Sequence, residues 1–258
     1  MYAFPPIAAA VELAHTALSG LAVLLTPVAG TAAAAAAVVC LTALVRLAVL
    51  PLSVAQVRAE KDRARLMPRL RELQRRHSDD PQRLLAAQRE LYAAEGSSPL
   101  AGCLPMLAQI PVFTVLYGVF IGAAGGGDLL TETLAGVPLM WGLGDALASG
   151  EAAHVQVFGV LLLVLAVTAW ASRQWLTLPA MAKAAADAEA NAGAPGASAM
   201  RAMSYLSYLT VAFAAFVPLA AGLYLATTTA WSVVERLVLR RVLGVDRVEA
   251  DTAEEKKE

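Results

Sequence analysis

Five mostly apolar stretches, each about twenty residues long, dominate this 258-residue chain. They occupy residues 31–54, 99–123, 154–176, 200–217 and 219–239. A run of about 18 or more apolar residues with few charges is long enough to cross a bilayer as a helix. Lipid offers the backbone no hydrogen bonds, so only helices and closed barrels cross it. The chain is therefore predicted to be an all-α, polytopic membrane protein with five transmembrane helices.

The positive charges indicate how these helices are oriented. All 20 Lys and Arg residues fall in the three blocks 46–89, 173–201 and 236–257. Short cytoplasmic loops of membrane proteins carry an excess of Lys and Arg. These blocks are therefore predicted to be cytoplasmic, together with loop 178–199 and the charged C-terminal tail 242–258. The N-terminus and residues 124–153 are predicted to lie outside.

Residues 1–30 are predicted to form an amphipathic helix that lies in the outer membrane interface. Four polar residues recur at helical spacing and form one stripe: Glu12, His15, Thr16 and Ser19. The apolar residues lie mainly elsewhere around the helix, a pattern typical of interfacial helices. The alternative is that this segment is a further membrane span. The N-terminus has no cationic stretch, so a standard secretory signal peptide is not expected.

Arg46 is a charge deep inside the first apolar stretch. It follows Thr31 by fifteen residues, or about 22 Å of helix, in a hydrocarbon core about 30 Å thick. A charge at such depth costs about 2.5–3.5 kcal/mol on insertion scales and normally faces the bundle interior or a wet cavity. The alternative is a side chain that extends to the inner headgroups. No acid lies mid-span to pair with Arg46, so we expect a water-accessible cavity bounded by Gln109 and the fifth span.

Neutral polar residues in the other spans have two interpretations. Gln109 in the second span either forms an interhelical hydrogen bond, worth about 0.6–2 kcal/mol, or lines the same cavity as Arg46. In the fifth span the hydroxyls of Thr227, Thr228 and Thr229 either bond back to the preceding turn or line a wet face.

Residues 57–95 are predicted to form a cytoplasmic helical hairpin. Asp80 is a good N-cap and Pro81 fits the first helical position, so the second helix begins there. Pro68 is expected to interrupt the first helix. The candidate contact residues are basic: Arg58, Lys61, Arg63, Arg65 and Arg69. This charge indicates either a solvated face that fixes topology, or contact with anionic headgroups or ribosomal RNA.

Enzymatic chemistry has no candidate residues in the sequence. There is no H-E-x-x-H motif, no nucleotide-binding P-loop and no G-x-S-x-G motif. Both cysteines, Cys40 and Cys103, lie in apolar stretches, which indicates packing thiols and not a disulfide. We predict a protein that is not an enzyme and uses no metal or cofactor.

Three segments carry motifs in a defined order. Residues 41–96 contain V-R-L-x-x-L-P-L and the turn D-D-P-Q. Residues 98–120 read SPLAGCLPMLAQIPVFTVLYGVF, and residues 216–239 read FVPLAAGLYLATTTAWSVVERLVL. Together they resemble the YidC/Oxa1/Alb3 membrane protein insertases, in the short bacterial form without a large extracytoplasmic domain. Two departures are Ser98, where the family pattern has Asn, and Glu235–Arg236, where it has Gln-Gln.

The resemblance implies a function and a site. An insertase or chaperone of this kind inserts nascent membrane proteins through a hydrophilic groove, open to the cytoplasm and closed outside, without nucleotide hydrolysis. The groove charge falls on Arg46, and Gln109 and Thr227–Thr229 contribute to the lining. Partners are nascent membrane proteins, lipids, the ribosome and the Sec translocon, with no DNA partner. The expected location is the bacterial inner membrane.

Two other classes of function remain open at this point. One is a transporter or channel for small anionic solutes that uses Arg46 as an anion site; the sequence has no internal repeat or paired broken helices to support it. The other is a non-catalytic scaffold for membrane assembly, which the sequence does not distinguish from an insertase.

Overall fold

The computed structural model describes residues 4–77, 80–95, 114–115, 117–119, 131–182 and 205–245. Its helices are α1 Pro5–Ala29, α2 Ala33–Ala48, α3 Leu50–Arg76, α4 Pro81–Ala94, α5 Leu143–Ala148, α6 Ala152–Ser172, α7 Leu206–Ala214 and α8 Leu219–Val242. Two short strands, β1 Thr133–Leu134 and β2 Val137–Pro138, form one antiparallel hairpin. The described chain is thus mainly helical, as predicted. Most of the predicted second span lies outside the described residues.

Two helical stretches of the described chain are long and apolar enough to cross a membrane, Pro5–Ala48 and Ala152–Ala182. The second contains α6 and continues through a π-helical turn, Arg173–Thr177, to residue 182. It covers the predicted third span and the first residues of the predicted loop 178–199. Both stretches fit a membrane protein by length and composition.

The helices α1 and α2 form a helical hairpin around a 3-10 turn at Gly30–Ala32. Gly30 has φ of 53°, a left-handed conformation that glycine adopts without strain. No other pair of described helices packs together as extensively as α1 and α2. Val11, about 28 Å along α1 from the turn, is buried in the same hydrophobic cluster as Val38 of α2. The first helix therefore runs back along α2.

The predicted first span is divided at Val49, where α2 ends and α3 begins. Val49 has φ of −90° and ψ of 1°, outside the helical range. Pro51 follows in the first turn of α3, where its missing N–H costs no hydrogen bond. The break comes just before Pro51 because proline is favoured at the first positions of a helix.

The predicted cytoplasmic hairpin, residues 57–95, corresponds to α3 from residue 57 onward together with α4. Asp80 caps α4 as predicted, since its Oδ1 accepts hydrogen bonds from the backbone N–H groups of Gln82 at 3.1 Å and Arg83 at 3.0 Å. Pro81 is the first helical residue. The prediction that Pro68 interrupts the first helix is wrong, because α3 continues through it. Pro68 is exposed, so water can bond the carbonyl that its ring leaves free.

The described part of the loop that is predicted to lie outside, residues 131–151, covers the start of α8; we call it the outer loop. The first backbone N–H groups of a helix have no partner within it, and here the loop supplies partners. The N–H of Leu219 donates to the carbonyl of Trp141 at 2.8 Å, and that of Ala220 donates to the carbonyl of Leu139 at 2.9 Å. Val137 and Leu139 are buried in the main hydrophobic cluster. The loop is therefore part of the packed core at this end of the bundle.

The helices α6, α7 and α8 complete the described bundle. The last helix packs against both α2 and α6, and α7 packs against α6. Gly222 allows a close approach, because a Cβ added there would lie 2.5 Å from the Leu161 side chain of α6. Small residues serve this purpose at helix contacts in membranes. The close packing of α8 between α2 and α6 fixes which of its faces meets Arg46.

Candidate functional site

The guanidinium of Arg46 joins α2 to α8. Its Nε and Nη2 atoms both donate to Thr228 Oγ1, at 2.8 and 2.5 Å. Nη2 also donates to the Thr228 carbonyl at 3.0 Å and to Ser232 Oγ at 2.8 Å. Arg46 is half-buried and Thr228 is buried. These contacts agree with the expectation of an Arg that faces the bundle interior, and the water-accessible cavity expected beside it stays a prediction.

The three threonines predicted as one lining group divide into two kinds. Only Thr228 contacts Arg46. The hydroxyls of Thr227 and Thr229 donate to carbonyls of their own helix, those of Leu223 at 2.8 Å and Leu225 at 2.7 Å. This is the back-bonding alternative considered from the sequence. Gln109 lies outside the described residues, so its place beside Arg46 stays a prediction.

Two further residues on α8 share the face that meets Arg46. Ser232 follows Thr228 by four residues, and Glu235 follows Ser232 by three, so all three lie along one side of the helix. The Glu235 carboxylate is close enough for its charge to act on Arg46. Its Oε1 atom is buried, and no hydrogen-bond partner for it is present in the part of the chain that the structure describes. The site thus combines one cation, two hydroxyls and one carboxylate.

A second set of contacts ties α3 to the end of α8. Lys61 Nζ donates to the carbonyl of Leu243 at 2.7 Å, just past the last residue of α8. Glu60 pairs with Arg240, whose side chain is 19% exposed. A cation beside the carbonyls at a helix C-terminus also interacts favourably with the helix dipole. We call the four residues Glu60, Lys61, Arg240 and Leu243 the α3–α8 clamp.

The other basic residues predicted for the hairpin differ in their surroundings. Arg58 and Arg65 are exposed. Arg69 pairs with Glu95 at 2.5 Å, across the two hairpin helices. Exposed ion pairs of this kind contribute about 0–1 kcal/mol, so the pair orients the helices more than it stabilises them. The side chain of Arg63 lies outside the described atoms. Lys61 is engaged in the clamp, whereas Arg58 and Arg65 face solvent.

Sequence reasoning did not identify Ser232, Glu60 or Arg240 as part of these contacts. Each partner pair is about 180 residues apart along the chain, since Arg46 and Ser232 are separated by 186 and Glu60 and Arg240 by 180. Helical spacing from Thr228 would have pointed to Ser232 and Glu235. Among the described residues, no three potential metal ligands come together.

The fold and the site define a class of protein: an α-helical membrane protein with a cation held between its helices and a basic helical hairpin next to it. A family model described as "60Kd inner membrane protein" matches residues 25–245. That match covers most of the chain, and curated relatives agree with it. The chain belongs to this family, the YidC/Oxa1/Alb3 membrane proteins, as its motifs predicted.

Three relatives illustrate the similarity. The "Inner membrane ALBINO3-like protein 2, chloroplastic" of Chlamydomonas reinhardtii is 43% identical over 106 residues, which cover 41% of this chain and 25% of that protein. A "Membrane protein insertase YidC" from Methylobacillus flagellatus is 44% identical over 87 residues, 34% of this chain and 16% of that protein. The protein of the same name from Clostridium perfringens is 38% identical over 105 residues, which cover 41% of this chain and 40% of that protein. The chain thus matches less than half the length of these relatives.

Proposed function

We propose that this protein is a membrane protein insertase and chaperone that moves nascent membrane proteins from the cytoplasm into the bilayer. The observation that carries the proposal is the polar contact of Arg46 with Thr228 and Ser232 between two apolar helices. Charges inside membrane bundles are costly and mark pathways for polar groups. Membership of a family whose named relatives are insertases supports the same function.

The proposed mechanism uses a hydrophilic groove beside Arg46 that opens to the cytoplasm. A polar tail of the substrate enters it and crosses a shorter dry path than the full core of about 30 Å. The outer loop that covers the start of α8 supports closure on the other side. Burial of the substrate's apolar segment drives insertion without nucleotide. Each buried CH₂ contributes about 0.8 kcal/mol, so the free energy gained by burying a whole apolar helix exceeds about 10 kcal/mol. Gln109 and Thr227–Thr229 complete the proposed lining.

The proposed partners are nascent membrane proteins, membrane lipids, the ribosome and the Sec translocon. Arg58 and Arg65 are exposed cations of the hairpin, and they suit phosphate groups of lipids or RNA. The proposed location is the bacterial inner membrane. We propose no catalytic residue and no cofactor for the chain.

The proposed topology places the outer loop outside and both the α3–α4 hairpin and the C-terminus in the cytoplasm. The proposed position of α1 rests on its packing against α2. Because α1 packs along α2, its contacts favour a further span, with a cytoplasmic N-terminus, over the interfacial helix and outer N-terminus that its polar stripe predicts. The five family spans then become six.

Cysteine labelling tests this topology. In a variant lacking Cys40 and Cys103, single cysteines replace exposed Phe4, Leu85 or Leu147. An impermeant thiol reagent added to intact cells should label the cysteine at position 147 and not those at 4 and 85, with all three labelled after lysis. Labelling at position 85 would contradict the orientation of the bundle, and labelling at position 4 would return α1 to the outer interface.

The function itself is tested by depleting the insertase of a host strain and expressing this chain. We expect restored growth and restored membrane levels of small proteins with few spans, measured by membrane proteomics. In an otherwise wild-type native host, deletion of this gene should leave uptake of anionic solutes unchanged. Failure to restore any membrane protein, together with loss of one solute's uptake on deletion, would favour the transporter alternative.

A further inference from the structure

Glu235 occupies an unusual place for a carboxylate. It lies on α8 one helical turn beyond Ser232, whose hydroxyl accepts a hydrogen bond from Arg46 at 2.8 Å. Residues three apart on a helix are neighbours on its surface, so the carboxylate stands next to the guanidinium's hydrogen-bonding partners. It is half-buried, its Oε1 atom is shielded from solvent, and no hydrogen bond to that atom comes from any described residue. From this position the charge of the carboxylate acts on Arg46.

We propose that Glu235 is the resting counter-ion of Arg46 and sets the charge of the tails that the groove accepts. Opposite charges in a poorly solvated site attract far more strongly than in water, so Glu235 can act on Arg46 without a direct hydrogen bond. Arg46 is held by Thr228 and Ser232 and shares its charge with Glu235. The site as a whole is then close to neutral, although it contains the groove's cation.

This pairing has a consequence for substrates, and it rests on the proposed insertase function. An acidic residue in an incoming tail must compete with Glu235 for Arg46 and is repelled by the carboxylate. A neutral polar tail makes hydrogen bonds to the same groups without that repulsion. The inferred substrate class is therefore small membrane proteins whose translocated tails are neutral, with acidic tails disfavoured.

The test uses two model substrates that differ at one tail position, Asp or Asn, and measures the insertion of each into proteoliposomes containing the full-length protein. The quantity of interest is the ratio of Asp-tail to Asn-tail insertion for one insertase variant. This ratio is independent of how much folded variant each preparation contains. The variants are E235Q, which restores the residue of the family pattern, E235A, R46Q and the double variant R46Q/E235Q. Exposed Glu132 of the outer loop provides the matched control, E132Q.

Removal of the Glu235 charge should raise the Asp-to-Asn ratio by about threefold or more, in both E235Q and E235A. The Asp-to-Asn ratio should rise less from R46Q to the double variant than from wild type to E235Q, because without Arg46 only the carboxylate's own repulsion of the tail is removed. E132Q should behave as wild type. An unchanged ratio in E235Q and E235A, while R46Q still impairs insertion, would overturn the role of Glu235 and leave the insertase function standing. Normal insertion of both substrates by R46Q would overturn this inference and the groove mechanism together.

Discussion

Replacement of Arg46 by alanine should reduce insertion by about tenfold or more while the protein remains folded. The positive charge of Arg46 should matter more than its hydrogen-bond geometry, because a polar tail that moves through the groove cannot keep one fixed hydrogen bond. Arg46→Lys should therefore retain most activity, and Arg46→Glu should be the most impaired variant for substrates with acidic tails. Complementation of an insertase-depleted strain measures the loss, since growth then depends on the variant.

Stability measurements separate this role from a structural one. Replacement of both members of a buried ion pair by uncharged residues is often neutral or stabilising, whereas removal of one member leaves the other charge uncompensated. Ser232 Oγ donates its own hydrogen bond to the Thr228 carbonyl at 2.7 Å, and this bond does not require Arg46. Arg46→Ala should therefore unfold, in detergent, at a lower temperature than wild type but remain folded under assay conditions, and R46A/E235Q, which removes both charges, should unfold within a few degrees of wild type. Normal insertion by Arg46→Ala, or inactivity explained by an unfolded protein, would contradict the proposed role of this charge.

Local rules succeeded where the relevant interactions lie within one helical turn. Asp80 caps α4 through N–H groups two and three residues away, and a capping residue followed by proline is readable from sequence. The depth of Arg46, counted at about 1.5 Å per residue, stays a prediction. Such features depend on neighbours along the chain and are little affected by the rest of the fold.

Predictions that depend on distant packing were less complete. The amphipathic pattern of α1 fits either a membrane interface or another helix, and only the tertiary fold places it along α2. The partners of Arg46 and Glu60 on α8 are about 180 residues away. At Pro68 a rule based on local sequence gave the wrong result. It predicted a break in the helix, but Pro68 is exposed, so water can replace the lost hydrogen bond and the helix continues. The threonine pattern likewise did not reveal which hydroxyl faces Arg46, because that depends on how α8 is rotated.

The α3–α8 clamp changes what a hairpin deletion would test. Deletion of residues 60–94 removes the basic hairpin and also Glu60 and Lys61, which hold α3 to the end of α8. A deletion of residues 66–91 leaves both contacts in place. Arg69 pairs with Glu95, so the two hairpin helices are close here and a linker of about four Gly or Ser residues can join the cut ends.

Deletion of 66–91 should leave the bundle in the membrane at wild-type levels and reduce insertion by about tenfold, because the hairpin no longer receives nascent chains or contacts headgroups. Deletion of 60–94 should be equally inactive and also less stable, since it removes the Glu60–Arg240 pair and leaves half-buried Arg240 without that partner. Immunoblots of membranes and thermal unfolding measure stability, and complementation measures insertion.

Arg58 and Arg65 remain in the shorter deletion, so their substitution by Gln within it tests whether any residual activity uses these two cations. Normal insertion by the 66–91 deletion would mean that the hairpin only fixes topology, and equal stability of the two deletions would mean that the clamp does not hold α3 in place.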